Sequence, residues 1–225
     1  MLRMGTLYLV RHGQASFGAA NYDQLSPLGH QQCLRLGQYL RGKGQRFEAV
    51  ITGTLQRHHQ SYAAIADGLQ VQAQPVLWPG LNEYDSHAVI AAVHPAPLAK
   101  ADTAEQYKHH FRLLRQGLKA WMTGTAQPAG MPSHRDFVAG VAAALDHVLT
   151  SYQGDVLMVS SGGPISTALC HIMGSPAEVM IDLNMRLRNS AITEFAYTPK
   201  RHMLAAYNAL PHLEGEAYQS WITYT

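Results

Sequence analysis

Short apolar runs alternate with helical patterns along this chain, and this alternation is the feature that most restricts its fold. Strand-like runs cover residues 6–10, 47–52 and 155–159, and a stretch with apolar residues at helical spacing follows each of them. Strands separated by helices favour a mostly parallel sheet with helices on both faces. We therefore predict an α/β fold, a three-layer αβα sandwich with a mostly parallel central sheet and a small helical cap.

Local signals place the remaining elements. Ser26 followed by Pro27 is typical of a helix start, because serine caps the first turn and proline suits its first position. Ser133 is expected to cap another helix in the same way. The same patterns predict helices that begin near residues 54, 102 and 164, and further strands over 71–77, 191–197 and 203–210.

The length of 225 residues suits one domain that spans the whole chain, 1–225. Within it we expect residues 84–132 to form a cap or insertion, since a Gly/Pro/Ala-rich loop closes this segment. Tyr107, Phe111 and Trp121 lie on its helical pattern and are expected to pack in a cap core.

Composition argues against several classes of partner. The net charge is only +2 and no dense Lys/Arg run occurs, so we expect no nucleic-acid partner. No run approaches the ~20 apolar residues of a membrane span, and no secretory signal pattern opens the chain, so a soluble cytoplasmic protein without a membrane partner is expected. Cys33 and Cys170 lack C-x-x-C spacing and are expected to be buried free thiols. The oligomeric state is left open.

Polar residues follow each predicted strand of the sheet. In open α/β sheets, ligands bind in the loops at the carboxyl ends of the strands. We therefore expect one crevice to collect the residues that follow the four strands in turn: Arg11, His12 and Gln14; Arg57; Glu83 and Asp85; and Ser161, Gly162 and Gly163.

These residue types suit phosphoryl transfer. Arginine presents a planar fork that matches phosphate oxygens, and backbone N–H groups at a helix start favour anions. Histidine can form a covalent intermediate, and a protonated carboxylic acid can donate to a leaving alkoxide. Phosphoryl transfer needs mainly positioning and charge stabilisation, which this set supplies.

The motifs around these residues resemble those of the histidine phosphatase superfamily, also called the phosphoglycerate mutase-like family. The resemblance covers nearly the whole chain and rests, in chain order, on LYLVRHGQ, ITGTLQRHHQS, LNE, VSSGGPIS, LRNSAITEF and AAYNALPHL. It implies a phosphomonoesterase that acts on a small phosphorylated substrate without a metal or organic cofactor. His12 would be the nucleophile, Arg11 and Arg57 would clamp the phosphate, and Glu83 would be the proton donor.

Two positions depart from the family pattern. The family usually has a second histidine, in a V-S-H-G-G-like motif, where this chain has Ser161. By analogy with one lost transition-state donor, this change is expected to cost ~10²–10³ in rate. The second departure is Gly18, where mutase-like members have an asparagine that helps to hold phosphate; Gln14 or Ser16 could substitute for it. Ser161 and Gly162 remain candidate phosphate-binding residues.

Several alternatives stay open at this point. The chain could be a phosphate-binding or regulatory module with weak or no turnover, because Ser161 replaces a charged group. Mutase activity is disfavoured by the two departures, and a serine hydrolase by the absence of a G-x-S-x-G elbow around Ser161. Asp85 competes with Glu83 as proton donor.

The other histidines give weaker signals. His58 and His59 are neighbours on a predicted helix, as are His109 and His110, and adjacent helical residues do not share a face, so they make poor metal pairs. No zinc motif occurs. Two histidines of the expected cap could touch substrate or take the place of the second histidine: His87 and His94.

Overall fold

The sheet has six strands in the order β3-β2-β4-β1-β5-β6 in the computed structural model, which describes residues 4–16, 22–98 and 101–224. The mixed α/β class is confirmed. The strands are β1 Gly5–Arg11, β2 Ala49–Thr52, β3 Val76–Leu77, β4 Val156–Ser160, β5 Ile192–Thr198 and β6 Arg201–Ala209.

Helices connect these strands and cover the sheet. They are α1 Pro27–Gly42, α2 Gln56–Leu69, α3 Ser86–Ala91, α4 Ala104–Met122, α5 His134–Ser151, α6 Gly162–Met173 and α7 Val179–Asn184. Three short 3-10 turns add Pro79–Leu81, Pro211–Leu213 and Glu216–Trp221. The predicted caps are confirmed, because the hydroxyls of Ser26 and Ser133 accept hydrogen bonds from the backbone of α1 and α5.

Strands β3, β2, β4 and β1 run parallel to one another. Strand β5 pairs antiparallel with β1, and β6 pairs antiparallel with β5. The pair β1–β4 is in register, with Arg11 opposite Ser160 at the carboxyl ends of both strands. Because parallel strands end at the same edge, the loops that follow them lie together. This edge carries the candidate site.

The core occupies both faces of the sheet, as a three-layer sandwich requires. On one face the apolar residues of α1 and α2 pack against Leu157 and Val159 of β4. On the other face α5 and α6 pack against Val156 and Met158. All five residues of β4 are buried, which is why this strand reads as a continuous apolar run rather than an alternating one.

The structure differs from the predicted elements in one strand and two short helices. The third strand is only Val76–Leu77 and not 71–77, since residues 71–75 form no ladder with β2. The short helices α3 and α7 were not predicted, because segments of six residues carry too little periodicity to distinguish them from loops.

The expected packing is confirmed for Trp121, which is buried against Tyr84 and Phe137. It is wrong for Tyr107 and Phe111, whose side chains are exposed; Phe111 keeps 56% of its surface. The buried side of α4 starts only at Leu113, so its first two turns extend beyond the packed region. The extent of the cap, 84–132, stays a prediction.

Both cysteines, Cys33 in α1 and Cys170 in α6, are free and buried as expected. Burial raises the pKa of each thiol to about 11, so both stay protonated near neutral pH.

Candidate active site

His12 lies directly beyond β1 and is held between two strand ends. Its N–H donates to the carbonyl oxygen of Ser160 at 2.9 Å, and its own carbonyl oxygen accepts from the N–H of Ser190 at 3.1 Å. The amide of Asn189 donates to the same oxygen at 3.3 Å. The backbone of His12 is therefore fixed by the end of β4 and by the segment that precedes β5.

The imidazole of His12 has a defined tautomer. Its Nδ1 lies 2.7 Å from the carbonyl oxygen of Gly13, and a carbonyl can only accept, so Nδ1 carries the proton. The ring is 2% exposed, and burial, followed by the charges of Arg11 and Arg57, holds its pKa well below the usual value. His12 is thus a neutral imidazole whose Nε2 carries a free lone pair.

Arg11 contributes a buried guanidinium beside this ring. Its Nη1 donates to the carbonyl oxygens of Leu187 and, at 3.2 Å, of Tyr224. Burial lowers its pKa and the nearby carboxyl of Glu83 opposes that effect. Arginine nevertheless stays charged in proteins, so the group remains a cation in the crevice.

Arg57 supplies the second guanidinium from the first turn of α2. Its Nη1 donates to Oδ1 of Asp23 at 2.6 Å, and Oδ2 of Asp23 accepts from the N–H of Gln56 at 2.9 Å. Asp23 therefore fixes both the start of α2 and the direction of the Arg57 fork. Asp23 is not among the predicted site residues, because nothing in the sequence links it to a residue 34 positions away.

We expect Asp23→Ala to lower kcat by roughly tenfold, because the guanidinium of Arg57 would no longer be held in the direction that orients the phosphoryl group. Inorganic phosphate should still bind, since the charge of Arg57 remains. Steady-state kinetics with phosphate as inhibitor measures both quantities. Asp182→Ala, which removes an exposed ion pair with Arg115, is the matched control. An Asp23→Ala variant with the kcat of the wild type would contradict this role.

Glu83 lies in the loop after the third strand and faces the start of α6. Its carboxyl accepts from the N–H of Gly163 at 3.0 and 3.1 Å and from that of Tyr84 at 3.2 Å. A Cβ on Gly163 would overlap Oε1 of Glu83, so glycine is required for this close approach. Burial raises the pKa of Glu83, and the Gly163 N–H and both arginines reduce the shift without reversing it.

Asp85, the competing proton donor, has a different task in the described structure. Its Oδ1 accepts from the N–H groups of His87 at 2.8 Å and Ala88 at 3.1 Å and so caps α3. The side chain is exposed, whereas Glu83 is half-buried. The geometry favours Glu83 for the acid.

Ser161 directly follows β4 and is the N-cap residue of α6, yet its hydroxyl makes no capping bond. Instead its Oγ lies 2.7 Å from Nε2 of His58. His58 is completely buried, and its ring centroid is 5.9 Å from that of His12. His58 is not among the predicted site residues; its position next to Arg57 in the sequence is the one signal that it could reach the site.

The remaining candidates lie around this centre or away from it. The side chain of Gln14 accepts from the hydroxyl of Ser26 at 2.7 Å, and the N–H of Ser16 donates to Gln24 at 2.8 Å. His87 is exposed, and Nδ1 of His94 bonds the carbonyl oxygen of Ala96 at 3.0 Å. Gly18 lies outside the described residues.

Residues 4–16, 22–98 and 101–224 contain neither a metal-binding cluster nor a membrane-spanning helix. No group of three His, Cys, Asp or Glu residues there could hold a metal ion. No helix in the same ranges is long and apolar enough to cross a membrane.

Comparison with known proteins gives a family match over most of the chain. The model of the histidine phosphatase superfamily, branch 1, matches residues 7–210. A protein of Hydrogenobacter thermophilus named "Putative phosphoserine phosphatase 2" is 22% identical over 223 residues, which are 93% of this chain and 98% of that protein. A broad-specificity phosphatase of Saccharomyces cerevisiae is 32% identical over 84 residues. That match covers 34% of this chain, which spans only 36% of the yeast protein.

The fold is shared with solved structures. The native structure of a mycobacterial glucosyl-3-phosphoglycerate phosphatase superimposes with a TM-score of 0.65 at 18% identity, covering 92% of this chain and all of that one. The family match includes every strand that lines the candidate site. This chain therefore belongs to branch 1 of the histidine phosphatase superfamily.

Proposed function

We propose that this chain is a phosphomonoesterase that works through a phosphohistidine on His12. The observation that carries the proposal is the fixed tautomer of His12, whose Nδ1–H donates to Gly13 and leaves Nε2 as a neutral nucleophile. Two buried guanidinium groups, Arg11 and Arg57, lie beside that ring. A neutral nucleophile between two cations suits attack on a phosphoryl dianion.

The reaction has two steps. Nε2 of His12 attacks phosphorus, the bond from phosphorus to the ester oxygen breaks, and protonated Glu83 gives its proton to the departing alkoxide. Water then attacks the phosphoimidazole, the Glu83 carboxylate takes a proton from that water, and inorganic phosphate leaves with the electron pair of the P–N bond returned to Nε2. Glu83 ends protonated, as it began.

The transferred group would be held by charge and by neutral donors. Arg11 and Arg57 offset the negative charge of the phosphoryl oxygens. Ser161 and Gly162, at the start of α6, are proposed to add hydrogen bonds at a helix N-terminus. Gln14 and Ser16 are proposed to contact phosphate at the edge of the site. The side chain of Gln14 also accepts a hydrogen bond from the hydroxyl of Ser26.

The proposed substrate is a small phosphorylated metabolite. The relatives named above include proteins named for phosphoserine, for glucosyl-3-phosphoglycerate and for broad specificity, and this variety supports the class rather than one compound. A cavity of about 290 Å³ lies beside Glu83 and is lined in part by Tyr84, Met131 and Phe137. We propose that the cap, 84–132, shapes the space for the leaving group there.

A second candidate function is a phosphate-binding or regulatory module with little turnover. The pair of His58 and Ser161 favours it, because burial and the charge of Arg57 keep the pKa of His58 well below its usual value. This pair then adds no positive charge where phosphate would bind. If hydrolysis required a positive charge at this position, the chain would bind phosphate ligands without hydrolysing them.

Hydrolysis of a panel of alkyl and aryl phosphates by purified wild type, from acidic to mildly alkaline pH, separates the two candidates. Rapid quenching during turnover, followed by mass spectrometry at neutral to alkaline pH, should find a phosphoryl group on the peptide that contains His12. Phosphate binding with no hydrolysis of any compound in the panel would favour the binding module instead.

Glu83→Gln should lower kcat/KM for an alkyl phosphate by roughly 10², because the alkoxide then leaves without a proton. A nitrophenyl phosphate should lose only a few-fold, since its leaving group is stable as an anion. For wild type with the alkyl substrate, activity should fall as pH rises through the raised pKa of Glu83. Asp85→Asn is the control and should lose little activity with either substrate. If Asp85→Asn loses more activity with the alkyl phosphate than with the nitrophenyl phosphate, and Glu83→Gln does not, then Asp85 is the proton donor.

A further inference from the structure

We propose that His58 is a positioning residue that turns the hydroxyl of Ser161 into a hydrogen-bond donor aimed at the phosphoryl group on His12. The inference rests on the proposed function, because it assigns a further donor to the same phosphoryl site. It starts from a buried contact that the two-step mechanism does not use, between Nε2 of His58 and Oγ of Ser161 at 2.7 Å.

The position of Ser161 follows from the register of the sheet. Arg11 at the end of β1 lies opposite Ser160 at the end of β4, so the next residues, His12 and Ser161, emerge side by side from the same edge. His58 approaches from the first turn of α2, with its ring 5.9 Å from that of His12. Three side chains from three elements therefore meet where the phosphoryl group would be.

The direction of the hydrogen bond follows from the other nitrogen of His58. Its Nδ1 is buried and has no hydrogen-bond partner among the described residues. A buried N–H without an acceptor is costly and rare, so the proton of the neutral ring is better placed on Nε2. Nε2–H then donates to Oγ of Ser161, and the hydroxyl must direct its own proton elsewhere.

No capping bond competes for that hydroxyl. Serine at a helix N-cap usually accepts from the backbone of the first turn, but Ser161 does not. With one lone pair occupied by His58, its proton can reach into the space between His12 and the start of α6. Donation from His58 also polarises the hydroxyl and strengthens the bond it donates.

The fit of His58 depends on a glycine in the loop after β2. A Cβ on Gly53 would overlap Nδ1 of His58 and lie 2.8 Å from Oδ1 of Asn82. The ring therefore packs directly against the backbone of this loop, which is how an imidazole on α2 reaches Ser161. The loop itself is fixed because the N–H of Gly53 donates to Val159 of β4 at 3.1 Å.

A double-mutant cycle tests the proposal. Ser161→Ala should lower kcat by ~10², as expected for one lost transition-state donor. His58→Leu should cost a similar factor, and the double variant should be no worse than either single one, because both remove the same interaction. His58→Gln should recover most of the activity of His58→Leu, since its amide can donate to Ser161 from about the same place as Nε2.

A purely structural role for His58 would give a different pattern. The effects of His58→Leu and Ser161→Ala would then multiply, or His58→Gln would be as impaired as His58→Leu; either result overturns the inference. If His58→Leu fails to fold, the cycle is run with His58→Gln and His58→Asn, whose shorter side chain cannot reach Ser161. Equal kcat in these two variants would also overturn it.

Binding of inorganic phosphate keeps this test separate from the proposed function. Isothermal titration should show roughly tenfold weaker binding for Ser161→Ala and for His58→Leu, with no further loss in the double variant. Absence of wild-type turnover together with this coupled loss would refute the phosphatase and retain the pair. Turnover that requires His12, together with independent effects of His58 and Ser161, would retain the phosphatase and refute the pair.

Discussion

Replacement of His12 by alanine is expected to abolish turnover, with kcat at least roughly 10⁴-fold below wild type. The reason is that His12 supplies the nucleophilic lone pair beside Arg11 and Arg57, so without it the covalent route is lost and only positioning and charge remain. Hydrolysis of a nitrophenyl phosphate and the phosphohistidine signal should disappear together.

Structural damage can be distinguished from loss of the nucleophile. The backbone bonds of His12 to Ser160 and Ser190 do not involve its side chain, so His12→Ala should keep the fold and still bind inorganic phosphate. His87→Ala, which changes an exposed histidine, is the control. Wild-type turnover in a folded His12→Ala variant would refute the phosphohistidine mechanism.

Acidification is expected to destabilise this fold strongly, because several histidines are buried as neutral rings. The pKa values of His12 and His58 lie well below the usual one, and burial lowers that of His212 to about 3. The unfolded chain takes up protons near its ordinary pKa of about 6.5, and the folded chain does not. Each group thus contributes stability above about pH 6.5 that is lost progressively as pH falls towards its folded pKa.

The expected loss of unfolding free energy on acidification is large. Lowering the pH from about 7 to about 5 should remove on the order of 2 kcal/mol of unfolding free energy for His212, and His12 and His58 should add to this loss. Glu83 acts in the opposite sense, because its raised pKa adds stability as pH falls. Urea unfolding at each pH gives the net slope. His212→Gln should flatten this slope, whereas the exposed His87→Gln should not; equal slopes for His212→Gln and wild type would contradict the assignment.

Much of the candidate site could be predicted from the sequence, because parallel strands bring the residues at their carboxyl ends to one edge of the sheet. Arg11, His12, Glu83 and Ser161 were selected by their position after predicted strands, and the sheet brings their backbones to that edge. This worked because the strand runs are buried and continuous. Strands β5 and β6 were predicted as well, although β5 is only partly buried and β6 has no buried residue.

The partners of those residues could not be found in this way. His58 meets Ser161 across 103 positions of sequence, and Asp23 meets Arg57 through a loop with no regular pattern. Such contacts depend on the rotation of α2 about its axis and on the space above Gly53. The spacing of hydrophobic residues does not determine either property. The sequence therefore indicates which residue types reach the site but not which of them contact one another.

The register of β1 with β4 has a consequence for how the site comes into being. Residues near position 12 and near position 161 touch only when the two strands are adjacent, and Ser190 must then close on the carbonyl of His12. No fragment that lacks one of these segments can contain the complete pocket. Ligand occupancy therefore reports completed assembly of the sheet, and a phosphate ion that binds there should raise the midpoint of thermal unfolding for the domain as a whole.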